Sequence, residues 1–148
     1  MNKAETVLSF GSNLGDRKSN IEKAIAILVE EFSLEQVEIS PIIETKSLGF
    51  DGPDFLDCVA VFRTTLSPAN LLKACKRTEK LLGRTDEPEY AADGSRIYRS
   101  RPIDVDILFY SDVCMSTPEL TIPHPQVKNR EYIKELLLSL TFQKFRSI

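Results

Sequence analysis

Two aspartates, Asp104 and Asp106, interrupt an otherwise apolar run, "RPIDVDILFY", at residues 101–110. Side chains alternate across a strand, so the two acids share one face while Ile103, Val105 and Ile107 share the other, which is the core face. At a rise of about 3.3 Å per residue the carboxylates lie roughly 7 Å apart and repel. A divalent cation beside them removes that repulsion and keeps both ionised. Oxygen-only ligands suit Mg²⁺, which takes one or two carboxylates and completes its octahedron with waters and phosphates. The plainer reading is a solvated polar face, or charges that keep an edge strand from pairing with another chain. Arg101, three residues before Asp104, favours the first reading, because a guanidinium grips phosphate in a bidentate fashion. A phosphate clamp next to a metal clamp describes a magnesium-nucleotide site.

Other residues carry weaker signals. Glu79 falls on the helical stripe of Leu72, Cys75 and Leu82, so it faces inward and needs a partner, or else sits at the stripe edge beside a lysine. His124 is the one histidine, held between two prolines in "TIPHPQVKNR", and Lys128 and Arg130 follow it. Phosphate contact and a solvated turn both account for those two cations. The segment "GSNLG" at residues 11–15 lacks the GK[ST] of a phosphate loop and reads as a turn from strand to helix.

The elements that position these residues follow from periodicity. Residues 5–10 form a short strand that stops at "GSNLGDR", and Asp16 then caps a helix whose apolar stripe is Ile21, Ala24, Ile25, Leu28 and Phe32. Residues 34–46 and 54–65 read as two strands of a hairpin around a glycine-containing loop. Ser67 and Pro68 start a second helix, over 68–82, and Gly83 stops it. Residues 84–100 have no period and form a long irregular loop leading into the aspartate strand. A short apolar piece, a turn and a last helix around "EYIKELLLSL" complete the chain. Strand, helix, strand, strand, helix, strand is the split βαβ pattern. It predicts an α+β ferredoxin-like antiparallel sheet, a βαββαβ core with helices on one face plus C-terminal additions.

Composition narrows the function classes. A chain of 148 residues that is 42% hydrophobic suits a single domain, 1–148. No apolar stretch reaches the length of a membrane span, and the N-terminus has no signal-peptide core, so a cytoplasmic protein without membrane partners is expected. A net charge of −3 argues against a nucleic-acid surface. Cys58, Cys75 and Cys114 have no ligand or disulfide spacing and read as core filler.

Taken in order, "GSNLGDR" (11–17), "LGFDGPDFLDCV" (48–59), "LLGR" (81–84), "SRPIDVDILFY" (100–110) and "IPHPQVKNREYI" (122–133) resemble the 6-hydroxymethyl-7,8-dihydropterin pyrophosphokinases of folate biosynthesis. The likeness runs over almost the whole chain, and that family's ferredoxin-like fold agrees with the pattern above. It implies transfer of pyrophosphate from ATP to the hydroxymethyl oxygen of 6-hydroxymethyl-7,8-dihydropterin with release of AMP; a monomer is expected. It further implies that Asp104 and Asp106 hold two Mg²⁺ ions and that Arg84 and Arg101 grip ATP, with Arg84 opening a mobile loop. By the same likeness Glu79, Ile107, Thr121, His124 and Arg130 contact the nucleotide. Thr45 and Leu48 present main-chain groups to the pterin, and Phe55 and Tyr132 sandwich its ring.

The chain departs from the family in three places. Asp57 stands where Asn is common at the pterin-reading position, and an ionised carboxylate only accepts hydrogen bonds. "YRS" at 98–100 replaces a Trp-Gly-Pro-like segment, so Tyr98 takes the place of the aromatic lid residue against ATP. The 84–98 loop is longer and more acidic, and Asp86 stands where a second arginine is often found, leaving Arg96 or Arg99 to supply that charge. Two other readings remain open. A pterin-binding relative with altered substrate or lost catalysis is separated from the enzyme by AMP formation. A ferredoxin-like nucleic-acid-binding module needs exposed aromatics and a basic surface that this chain lacks.

Overall fold

Strand β1 (Ala4–Ser12) is buried on both sides, with Leu8 and Phe10 facing one core and Val7 the other. In the computed structural model, residues 3–46, 53–83, 89–90, 92–94, 96–97 and 102–141 are described. Helix α1 (Arg17–Glu30) follows, its N-terminus capped by the Asp16 carboxylate, which accepts the Ser19 N–H at 3.1 Å. Strands β2 (Glu35–Ile39), β3 (Ile43–Thr45) and β4 (Phe55–Thr64) come next. Helix α2 (Pro68–Leu81) starts where the Ser67 hydroxyl accepts the Asn70 N–H, and Gly83 at φ 100° lies just past its end. Then come β5 (Glu89–Tyr90), β6 (Arg96–Ile97), β7 (Asp104–Tyr110), β8 (Met115–Ser116) and β9 (Thr121–Ile122). One turn of helix, α3 (Gln126–Asn129), and α4 (Glu131–Ser139) close the described chain.

The main sheet is antiparallel in the order β2-β4-β1-β7, with β3 also pairing β4. Its first face carries Leu8, Phe10, Phe62 and Ile107 against Ile21, Leu28 and Leu71 of α1 and α2. Its second face carries Val7, Val59, Val61 and Leu108 against Ile133, Leu136 and Leu137 of α4. Each such fully buried side chain contributes about 1.5 to 3 kcal/mol, so the three that α4 buries hold it to the second face.

Several expectations change here. The sheet face opposite Val105 and Ile107 is not solvated; α4 covers it, and the two aspartates stand at the end of a second core. Residues 34–46 are not one strand. Pro41 has no N–H to give a ladder, and Ser40 bonds Val59 through both its N–H and its hydroxyl, so the chain breaks into β2 and β3. The first strand does not stop at the glycine: Gly11 and Ser12 pair with Asp57 and Leu56 of β4. The 84–100 segment contains a two-strand ladder, β5 with β6, around Gly94 at φ 87°. The turn after Ile122 contains α3, drawn in by buried Val127. Cys58 and Cys75 are core residues, but Cys114, outside the strands, is exposed.

Candidate active site

Gly11 is the centre of the site. It pairs with Asp57 of β4 on one side and Asp104 of β7 on the other, and one row away Ser9 lies between Val59 and Asp106. The alternation that sends Val59 and Val61 into the α4 core therefore sends Asp57, Asp104 and Asp106 to the same face, at its open end. With no side chain at Gly11 a gap separates the first two acids. A Cβ built there would lie 2.8 Å from Asp57 Oδ1 and 3.5 Å from the Phe55 ring, so both side chains lean over the glycine.

Asp57 is 7% exposed. Burial pushes its carboxyl up to about 6; the Thr45 hydroxyl works against this, Asp104 adds to it and Arg130 opposes it. Thr45 Oγ1 donates to Asp57 Oδ2 at 2.5 Å. Tyr132, on α4, is half-buried beside the second core, and its phenol is pushed up to about 12, first by burial and then by Asp57. Phe55 and Tyr132 thus reach this end from different layers, sheet and helix.

Asp104 and Asp106 are half-buried. Gln126 Nε2 donates to Asp106 Oδ2 at 3.3 Å, and His124 Nε2 stands 3.9 Å from Oδ1. His124 Nδ1 accepts the Gln126 N–H at 3.1 Å, which places the ring proton on Nε2, facing Asp106. Burial holds this imidazole below its ordinary value, Asp104 pulls the other way and Arg130 reinforces the lowering. Among the described residues no three acids, histidines or cysteines gather as a metal cage. Among the described residues the protein would offer the paired carboxylates, a donor set that fits Mg²⁺ with phosphate and water completing the shell.

A cavity of about 270 Å³ beside these acids is lined by Asp106, Ile107, Thr121 and His124, joining three of the residues assigned to the nucleotide with one assigned to the metal. It also takes Leu72, Lys76 and Leu120, which sequence reading missed; the spacing of Leu72 and Lys76, one helical turn apart on α2, was the available signal. Gln126 was missed as well. Glu79 does not line this cavity. It is 1% exposed, and its Oε2 accepts the N–H of Val105, between the two aspartates, at 2.8 Å. Glu79 thereby ties α2 to the aspartate strand. Glu79→Ala strands a buried N–H and should cost about 3 kcal/mol in urea unfolding, whereas Glu79→Gln, which keeps an acceptor, should recover most of it. Equal losses in both variants would show that the hydrogen bond is not the cause.

The "GSNLGDR" segment also does more than turn. Asn13 Nδ2 donates to the Pro53 carbonyl, and Arg17 donates to the Asp54 carbonyl and to Glu44. These contacts fix the entry to β4, where Phe55 and Asp57 stand. Arg84, Tyr98, Arg101 and Leu48 lie outside the described residues, as do Asp86 and Arg99. Arg130 precedes α4, within electrostatic reach of Asp57 and His124.

Comparison with known proteins places this geometry. The family model described as 7,8-dihydro-6-hydroxymethylpterin-pyrophosphokinase (HPPK) matches residues 7–141. A 2-amino-4-hydroxy-6-hydroxymethyldihydropteridine pyrophosphokinase of Aquifex aeolicus is 39% identical over 93% of this chain and 80% of its own length. The protein of that name from Porphyromonas gingivalis is 36% identical over 86% of this chain and 84% of its own. The folic acid synthesis protein fol1 of Schizosaccharomyces pombe is 36% identical over 90% of this chain, which spans only 17% of that longer protein. A crystal structure of an HPPK-DHPS in complex with substrates superposes with a TM-score of 0.68 at 15% identity, over 95% of this chain and 40% of that one, a likeness of fold. The chain belongs to the 7,8-dihydro-6-hydroxymethylpterin-pyrophosphokinase family.

Proposed function

We infer that the protein transfers the terminal pyrophosphoryl group of ATP to the hydroxymethyl oxygen of 6-hydroxymethyl-7,8-dihydropterin, releasing AMP, in folate biosynthesis. The observation that carries this is the convergence at Gly11: a buried acid suited to a pterin on one side, and on the other an acid pair of which Asp106 lines a cavity of about 270 Å³. The strand order, with α1 and α2 each leading from one strand of the sheet to another, supports the ferredoxin-like βαββαβ reading. Residues 1–148 act on this reading as one monomeric, cytoplasmic domain; no helix among the described residues is long and apolar enough to cross a membrane.

In the reaction the hydroxymethyl oxygen attacks the β-phosphorus, the bond from that phosphorus to the oxygen it shares with the α-phosphorus breaks, and AMP leaves while the hydroxyl proton passes to solvent. Asp104 and Asp106 would hold two Mg²⁺ ions, which when bound offset the charge of the phosphate oxygens. The Leu72, Ile107 and Leu120 side chains offer apolar contact to the adenine, and Thr121 polar contact at its edge. Neutral His124 presents its Nε2 proton toward the phosphates from the Asp106 side. Phe55 and Tyr132 hold the pterin ring between them, and Asp57 accepts hydrogen bonds from its amino edge. Arg84, Tyr98 and Arg101 complete the hold on ATP, with Thr45 and Leu48 giving main-chain contacts to the pterin.

The test is AMP formation by the protein with Mg²⁺, ATP and the pterin. AMP well above a control lacking pterin is expected; AMP equal to that control contradicts the reading.

A further inference from the structure

Asp57 is a carboxylate at the end of a core, and among the described residues its hydrogen bond comes from Thr45. Thr45 Oγ1 has a single proton, and it goes to Asp57 Oδ2 at 2.5 Å. This contact bridges the register of the sheet: Asp57 pairs with Ile43 of β3, while Thr45 pairs with Phe55 of β4, one step toward the open end. With Oδ2 tied toward β3, Oδ1 is turned the other way, over β1, to where a Cβ on Gly11 would come within 2.8 Å. The glycine thus admits an orientation that any side chain at position 11 would block.

We propose that the Thr45 hydroxyl is a positioning residue that sets substrate specificity through Asp57, making the site select rings with two adjacent donors, an exocyclic amino group beside a ring N–H. The proposal rests on the pterin reading above and deepens it. A carboxylate has about four lone-pair sites, and the hydroxyl takes one. Oδ1, over Gly11, and the remaining lone pair of Oδ2 are then the acceptors left for a ring edge, with no donor of their own. An amino group and the neighbouring N–H match that pair. A ring with a carbonyl in place of the amino group sets oxygen lone pairs against oxygen lone pairs and leaves buried acceptors unmatched, which is the arrangement that gives large discrimination. Without the hydroxyl, the tie that holds Oδ2 toward β3 is lost and the acceptor pair is no longer fixed.

The experiment compares wild type, Thr45→Val, which keeps the shape and removes the donor, and Thr45→Ser, which restores it. Steady-state kinetics are read with 6-hydroxymethyl-7,8-dihydropterin and with its analogue bearing a carbonyl in place of the amino group. Thr45→Val should raise KM for the pterin about tenfold, move KM for ATP by less than about twofold and shrink the preference for the amino ring by about tenfold. Thr45→Ser should return all three values to within about threefold of wild type. Unchanged pterin KM in Thr45→Val, equal rises for pterin and ATP, or a preference that does not return with serine would overturn the proposal. Equilibrium binding of the pterin without ATP, followed by its own fluorescence, gives the same comparison independently of turnover. If wild type binds the amino ring selectively but makes no AMP, the activity fails and the Thr45 inference is still decided by the variants. Should Thr45→Val not fold, the amino preference of Thr45→Ser decides, and its loss would overturn the claim.

Discussion

Replacing Asp104 or Asp106 with alanine should lower turnover by about a thousandfold and leave the fold intact. The strand that carries them is held by other residues. Val105 and Ile107 supply the packing on the α1 and α2 side, Leu108 packs against α4, and Glu79 fixes the Val105 N–H. On the proposed reading, removing either half-buried carboxylate takes a metal ligand and a charge from the open end of the face, while the core side chains of the strand stay in place. Asp104→Ala also relieves a like charge felt by Asp57. Asp106→Ala loses the weak Gln126 contact, a smaller effect. The check is steady-state kinetics across a Mg²⁺ titration, with thermal melts on the same samples. Near-normal turnover in both variants would make the acid pair structural.

Asp57→Asn stabilises the protein at neutral pH by about 2 to 3 kcal/mol, at roughly 1.4 kcal/mol for each tenfold difference in proton affinity between the folded and unfolded chain. The folded protein raises this carboxyl from 3.8 to about 6, so it binds a proton more tightly than the unfolded chain does. The contribution of Asp57 is therefore fully present below the unfolded value and is lost as pH rises from about 4 through about 6. An asparagine does not titrate, and its carbonyl still accepts from Thr45. The stability gap between variant and wild type should be small at pH 4 and fully open at pH 7.5. Urea unfolding at the two pH values reads it, and a gap of equal size at both would contradict burial of an ionised acid. Retention of an acid that weakens the fold at working pH is what a site for a donor-rich ring edge would require.

Much of the architecture could be read in advance because its signals are local. The stripes of α1 and the caps at Asp16 and Ser67 act within a turn or two, and the Asp104 and Asp106 alternation acts within one strand. What escaped depends on pairing. Gly11 has turn propensity, yet it lies in β1 because β4 and β7 flank it, and only the cross-strand register places Asp57 and Asp104 on either side. The cover over the aspartate face was hidden because the stripe of α4 does not say which sheet face it will bury. The site divided along the same line. Ile107, Thr121 and His124 were carried by motif, whereas Leu72 and Lys76 reach the cavity from α2 and Leu120 from the turn before β9, and nothing in the chain ties that helix to that turn.

The most direct test of pyrophosphoryl transfer is the identity of the transferred group, read by ³¹P NMR of a complete reaction with Mg²⁺, ATP and 6-hydroxymethyl-7,8-dihydropterin. The ATP resonances should be replaced by AMP and by a pterin diphosphate with two mutually coupled phosphorus signals. ADP with a monophosphorylated pterin, or ATP that persists unchanged beside the pterin, would contradict it.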